Sequence, residues 1–337
     1  MADFPDIRPP FLIFLGDVPD ALAAKTGQGI VDWRRERVAG QMRLAGCGAD
    51  LGVPELGLDE ACRLGAKTLV IGAVNPGGTL PEAWVASIVA AIEAGMDVAS
   101  GLHARLESVD AVARAAARTG RRLHDVRHSA RTYPTGSGKR RSGRRLLTVG
   151  TDCSIGKKYT ALAIERELHR RQVAADFRAT GQTGILIAGS GIAIDAVVSD
   201  FVSGAVETLT PDNAPEHWDV VEGQGSLFHP SFAGVSLALL HGAQPDAFVV
   251  CHEPTRRTMR NVATPIAAVD DVIEATIRHG RLTNPDIRCV GLAIDTSRLA
   301  HDEAERTLAE HAARLHLPVC DPMRTGVAAL VDELLTP

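Results

Sequence analysis

Short apolar runs alternate with amphipathic stretches along most of the chain. Residues 11–15 (FLIFL) are five consecutive apolar residues closed by Gly16-Asp17, which suits a strand buried on both faces. The spacing of Val31, Trp33, Val38, Met42 and Leu44 predicts a helix over about 31–45. Residues 68–74 (TLVIGAV) read as a second strand, ended by the turn Asn75-Pro76-Gly77-Gly78. Pro81 then stands where a first-turn proline is tolerated, because its missing N–H would have no partner there. The segment 82–95 is an amphipathic helix stopped by Gly95, 96–102 a strand, and 108–120 a helix ending at Gly120. Strands alternating with helices predict a parallel sheet with crossover helices, so residues 1–120 are expected to form a small Rossmann-like domain. No GxGxxG follows a strand in this half, and nothing there assigns a dinucleotide.

The pattern breaks over 121–145, which carries nine Lys/Arg and one acid around a Gly/Ser/Pro stretch. It reads as a solvated basic linker; the sharper alternative is that some of its cations face an anion held by the next domain. Beyond it the alternation resumes. Strands are expected at 146–150, 173–179, 218–222, 246–251 and 288–294, with helices at 157–171, 190–204, 231–241, 259–279 and 302–315. The fold class expected is therefore α/β, with a Rossmann-like sheet over 1–120, a linker over 121–145 and a second, larger parallel sheet over 146–337.

Composition narrows the function classes. The 337 residues are 45% hydrophobic and 23% charged, the balance of a soluble globular protein. A net charge of −5 gives no general attraction to nucleic acid or to an acidic membrane, and no apolar run is long enough to span a bilayer. The start is acidic before its five apolar residues, which is wrong for a secretory signal. The six cysteines are scattered without CxxC pairs, which fits reduced thiols in the cytoplasm.

The chemistry is concentrated at RRLLTVGTDCSIGKKYTALAIERELHRR, which is strand, loop and helix in that order. Gly150, Thr151, Asp152, Cys153, Ser154, Ile155, Gly156, Lys157 and Lys158 make a phosphate-binding (P-loop) candidate. Its backbone N–H groups and the following helix end would receive an anion, with Lys157 above it. The motif is imperfect, since five residues rather than four separate Gly150 from Gly156. In P-loop hydrolases and kinases a Ser or Thr after the lysine binds Mg²⁺. Here Lys158 occupies that place, and Thr160 lies further around the helix. The pattern predicts a diphosphate bound without a metal, as coenzyme A would be. The rival reading is a Mg-ATP site that recruits its ion through Glu222, as a ligase or kinase would.

GTDCSIGK and VVEGQGS (220–226) resemble the loop and the acidic strand end of dethiobiotin synthetase and its relatives, and LPVCDP (317–322) resembles their closing strand. GTDCSIGKKYTAL, RATGQTGILIAGSGIAIDAVVSDFVSGAVE (178–207), EGQGSLFHP (222–230) and HEPTR (252–256) resemble, over nearly the whole chain, a two-domain family catalogued as a domain of unknown function. Its characterised branch is the DgcN-type D-glutamate N-acetyltransferases. The resemblance implies acetyl-CoA as cosubstrate, a D-amino acid as acceptor, and an N-terminal Rossmann-like domain beside a P-loop NTPase-like one. By analogy with P-loop relatives, a homodimer is expected.

Acetyl transfer needs a base for the α-ammonium and donors for the substrate carboxylates. Glu222, at a strand end beside the loop, and His229 are the base candidates, and Asp200 or Asp195 could bind the amine. On a helix the two aspartates would lie roughly 140° apart and would not form a carboxylate pair. Arg178, Thr180, Gln182, Thr183, Ser226 and Arg256 are the candidate substrate contacts. Cys153 near a helix N-terminus suggests a stabilised thiolate. Asp17, Lys25 and Thr26 follow the first strand and could line a cleft.

Overall fold

A computed structural model describes residues 6–73, 80–128 and 131–336, which divide into two compact units. The expected turn at Asn75-Pro76-Gly77-Gly78 lies outside the described residues.

The first unit comprises residues 1–131 and 181–196. It contains β1 (Phe11–Gly16), α1 (Lys25–Arg34), β2 (Val38–Arg43), α2 (Leu58–Arg63), β3 (Thr68–Ile71), α3 (Glu82–Glu93), β4 (Asp97–Ser100), α4 (Asp110–Thr119) and β5 (Leu123–Asp125). These strands form a parallel sheet in the order β2-β1-β3-β4-β5, a doubly wound arrangement whose switch point lies between β1 and β3. β1 is buried along its whole length, as a central parallel strand requires.

The expected helix over 31–45 is instead the end of α1 followed by β2. Its apolar spacing fits a helix, but Gly40 admits a neighbouring chain: a Cβ there would sit 2.4 Å from the Pro54 carbonyl oxygen. Gln41 donates its N–H to that carbonyl and accepts from Leu56 N–H, so β2 is sealed on its outer edge. Asp17 accepts a hydrogen bond from the Trp84 indole at 2.8 Å, Thr26 is buried and Lys25 is exposed.

The second unit comprises residues 132–180 and 197–337. In chain order from 144, the elements are β6 (Arg144–Gly150), α5 (Lys157–Arg170), β7 (Ala175–Arg178), α6 (Gln182–Ala188), α7 (Val202–Leu209), β8 (Trp218–Val221), α8 (Ala233–Ala243), β9 (Ala247–His252), α9 (Val269–Gly280), β10 (Arg288–Ile294), α10 (His301–Leu315), β11 (Val319–Cys320) and α11 (Ala328–Leu335). All of these except α6 belong to the second unit; α6 packs with α1 in the first. The sheet is parallel, in the order β11-β10-β9-β6-β8-β7. β6 therefore lies between β9 and β8, and the loop after it opens at the carboxyl edge where ligands of such sheets bind.

Two further expectations change here. The stretch 121–145 supplies β5 to the first sheet and the first residues of β6 to the second. Its later cations serve the amino end of β6. Arg141 donates to the Thr210 and Gly242 carbonyls, Arg140 pairs with Asp246, and buried Arg145 donates to the Ser142 and Arg141 carbonyls. β6 has seven residues and spans about 20 Å, so these groups sit a full strand away from the loop at its other end. The expected helix over 190–204 is absent because Gly189 (φ +83°) and Gly191 (φ +145°) break the chain. Short turns at Ile194–Ala196 and Ser199–Phe201 precede α7. No helix among the described residues is long and apolar enough to cross a membrane.

Candidate functional site

The loop between β6 and α5 has the backbone of an anion seat. Ser154 (φ +52°) and Gly156 (φ +98°) take left-handed conformations, which turn successive N–H groups to one side. The N–H groups of Ser154, Ile155, Gly156 and Lys157 find no acceptor among the described residues. Four adjacent open donors at a helix N-terminus attract negative charge. Gly150 is required by packing, since a Cβ there would lie 2.6 Å from Ile155 and 3.0 Å from the Cys251 carbonyl oxygen.

Lys157 is buried and its Nζ donates to the Asp152 carbonyl at 2.6 Å, so the ammonium is folded back into the loop. Burial pushes it below its usual value, a penalty that an incoming phosphate would relieve. Lys158 is half-buried, with its ammonium 4.6 Å from the Tyr159 ring centre. The Thr160 hydroxyl donates back to the Gly156 carbonyl and accepts from the Cys251 thiol, so it does not face the seat.

Glu222 directly follows β8 and is buried. Its Oε2 accepts the Thr180 N–H at 3.0 Å, and its own carbonyl accepts the Thr180 hydroxyl at 2.6 Å. Gly223 brings this strand end against the loop lysine: a Cβ there would meet the Thr148 carbonyl oxygen at 1.6 Å and the Lys157 Cδ at 3.0 Å. Glu222 is thus tied to Thr180, and the residue after it packs against Lys157. Thr180 is occupied by Glu222 and by Gln224 Nε2, and so supports the carboxylate.

Other expected site residues have structural partners. His229 is buried, and its Nδ1 accepts the Ser231 N–H at 3.1 Å. A backbone N–H can only donate, so Nδ1 carries no proton, and Nε2–H donates to the Arg260 carbonyl at 3.0 Å. Both nitrogens hold loops, which removes His229 as a base. Asp200 is exposed on the Ser199–Phe201 turn, with no side-chain hydrogen bond among the described residues, and Asp195 pairs with Arg127 in the first unit. Arg178 turns back along β7 to pair with Asp219 at 2.6 Å and Asp176 at 3.0 Å, so it is not a carboxylate clamp. Gln182 and Thr183 open α6 and belong to the first unit. Ser226 is buried and accepts the Phe228 N–H at 3.3 Å. Burial raises the Cys153 thiol above its usual value, against the expected thiolate.

A clamp that no local sequence pattern records holds the loop. Arg256 Nη1 donates to Asp152 Oδ2 at 2.6 Å and to the Cys153 carbonyl at 2.7 Å, and its Nη2 donates to the Ser154 carbonyl at 3.2 Å. Burial acts to raise Asp152, but Arg256 and the N–H groups of Cys153 and Arg260 outweigh it and hold the carboxyl below its usual value. Buried Glu253 completes the arrangement, with Oε2 3.6 Å from Arg256 Nε. Arg256, expected to contact substrate, is therefore consumed by the loop. Potential metal-ligand atoms of Asp152, Cys153 and His229 cluster within 4.8 Å, but a guanidinium already holds that carboxylate; in the cluster of Asp176, His217 and Asp219, Arg178 does the same. Thr151 anchors the start of the loop through a 3.0 Å hydrogen bond with His252 Nδ1.

Residues 133–331 match the family model "Domain of unknown function (DUF1611_C) P-loop domain", and residues 39–129 match "Domain of unknown function (DUF1611_N) Rossmann-like domain". This chain belongs to the DUF1611 family. A crystal structure of a DUF1611 family protein from Anabaena variabilis superposes with a TM-score of 0.82 at 28% identity, over 97% of this chain and 99% of that one. Two curated relatives are each named D-glutamate N-acetyltransferase. The one from Tritonibacter scottomollicae is 49% identical and the one from a Pseudoalteromonas species 45% identical, each over 97% of this chain and 99% of its own length. The DUF1611 pairing of a Rossmann-like with a P-loop domain agrees with the two parallel sheets.

Proposed function

We propose that this DUF1611 protein is a D-glutamate N-acetyltransferase that moves an acetyl group from acetyl-CoA to the α-amine, with the coenzyme's diphosphate on the loop 150–158. The observation that carries the activity is full-length similarity, at 49% and 45% identity, to two relatives of that name. The loop fits the coenzyme chemically: four open N–H donors and two lysines suit a diphosphate, and an ammonium at 158 replaces the hydroxyl that would hold Mg²⁺. The Mg-ATP ligase or kinase reading lacks that hydroxyl. No metal is part of the proposed reaction.

Glu222 is the proposed base. It is buried and Thr180 orients its carboxylate, so it takes one proton of the substrate ammonium, and the freed amine attacks the thioester carbonyl. As the C–S bond breaks and the amide forms, the second proton on the nitrogen passes to the CoA sulfur, which leaves as the thiol. Arg178 and Arg256 are already paired with Asp219 and Asp152, so the proposal assigns neither to the acceptor's carboxylates. The cytoplasm and a homodimer are the proposed setting, the latter checked by light scattering. The deciding experiment incubates the protein with acetyl-CoA and D-glutamate in EDTA and follows free thiol and N-acetylglutamate. Failure to release thiol with a panel of D- and L-amino acids, or Mg²⁺-dependent ADP formation from ATP, overturns the proposal.

A further inference from the structure

We infer that Arg260 is a further ligand of the diphosphate, a cation held over the loop in reserve for it. The inference rests on the acetyl-CoA reading only for the identity of the anion. Arg260 follows β9 and is pinned to the loop twice: its N–H donates to Asp152 Oδ2 at 2.8 Å and its Nη1 donates to the Ser154 hydroxyl at 2.6 Å. Ser154 begins the run of four open N–H groups, so the guanidinium lies at the edge of the seat.

Arg260 differs from its neighbours in its charge partners. Arg256 is engaged by Asp152 and Glu253. Arg260 has no carboxylate within ion-pair distance among the described residues, and its side chain makes one hydrogen bond. A guanidinium carries five N–H donors, so four remain open on an exposed group fixed beside the nest. Arg257, on the same segment, is exposed and its side chain makes no hydrogen bond or ion pair among the described residues. An arginine held by backbone and side chain pays part of its ordering cost before the ligand arrives, and its planar fork suits phosphate oxygens. With Lys157 it supplies positive charge at the loop, where a nucleotide enzyme uses a divalent ion.

The test compares wild type, Arg260→Ala, Arg260→Lys and Arg257→Ala. Steady-state kinetics are measured with acetyl-CoA and D-glutamate, and binding of inorganic pyrophosphate is measured by calorimetry. Arg260→Ala is expected to raise KM for acetyl-CoA by about 10- to 100-fold with kcat within about threefold, to weaken pyrophosphate in parallel and to leave KM for D-glutamate unchanged. Arg260→Lys recovers part of the loss, and Arg257→Ala changes each value less than about threefold. A rise in KM for D-glutamate alone, equal losses in Arg257→Ala and Arg260→Ala, or pyrophosphate binding unaffected by Arg260→Ala overturns the inference. If wild type does not turn over acetyl-CoA, the functional reading fails, while the pyrophosphate comparison still decides the role of Arg260.

Discussion

Arg256 donates with a single nitrogen to Asp152 Oδ2 at 2.6 Å and to the Cys153 carbonyl at 2.7 Å, so the segment after β9 holds the phosphate loop in shape. Removing one partner of a buried pair leaves the other charge uncompensated. Arg256→Ala is expected to destabilise the protein by about 3 kcal/mol in urea unfolding. Adding Asp152→Asn should restore part of that loss, because the orphaned carboxylate is gone. Additive losses in the double variant would show that the two residues are not coupled.

Glu222→Gln separates chemistry from architecture. The amide oxygen can still accept the Thr180 N–H that Oε2 accepts now at 3.0 Å, so the melting temperature should stay close to that of wild type. Acetyl transfer should fall by about 10²- to 10⁴-fold in kcat if the carboxylate takes the ammonium proton. A variant with normal kcat would remove Glu222 from the reaction.

Lys158 tests the choice between coenzyme and nucleotide. Lys158→Thr puts a hydroxyl at the sequence position that binds the metal in P-loop nucleotide enzymes and removes one cation from the segment 150–158. KM for acetyl-CoA should rise by about tenfold, as for loss of a charge-assisted contact. Wild-type transfer should be the same in EDTA and in Mg²⁺. Metal dependence of the wild-type reaction would contradict the proposed role of the ammonium.

His252 makes stability depend on pH. Burial, with a smaller contribution from the charge of His311, lowers its pKa from an ordinary 6.5 to about 4. The unfolded chain takes up this proton near pH 6.5, while the folded protein resists until about pH 4. The contribution is therefore intact above about pH 6.5 and is lost as pH falls towards 4, by roughly 3 kcal/mol at most. Melting temperatures of wild type and His252→Gln, measured from pH 7 to pH 4, should converge in acid. Parallel curves would show that another group sets the acid limit.

The alternation of runs was enough to read two parallel sheets, because strands buried on both faces are unambiguous at FLIFL and FVVC. The phosphate loop was legible for a similar reason, since its strand, glycines, lysine and helix are contiguous. Val31 to Leu44 misled because apolar spacing cannot report that Gly40 is pressed against Pro54. His229 misled because its two hydrogen bonds reach Ser231 and Arg260, and only one of these is near it in the chain. The Arg256–Asp152 clamp joins residues 104 positions apart, and no local pattern records such a pairing.

The departure of residues 181–196 from the second unit makes the molecule's spatial modules differ from its linear ones. Cutting the gene at 131 would strip the first sheet's α1 of its cover and deprive Ile7 N–H of the Gly189 carbonyl it reaches at 3.1 Å. A cut at the apparent border therefore separates α6 from the unit in which it packs.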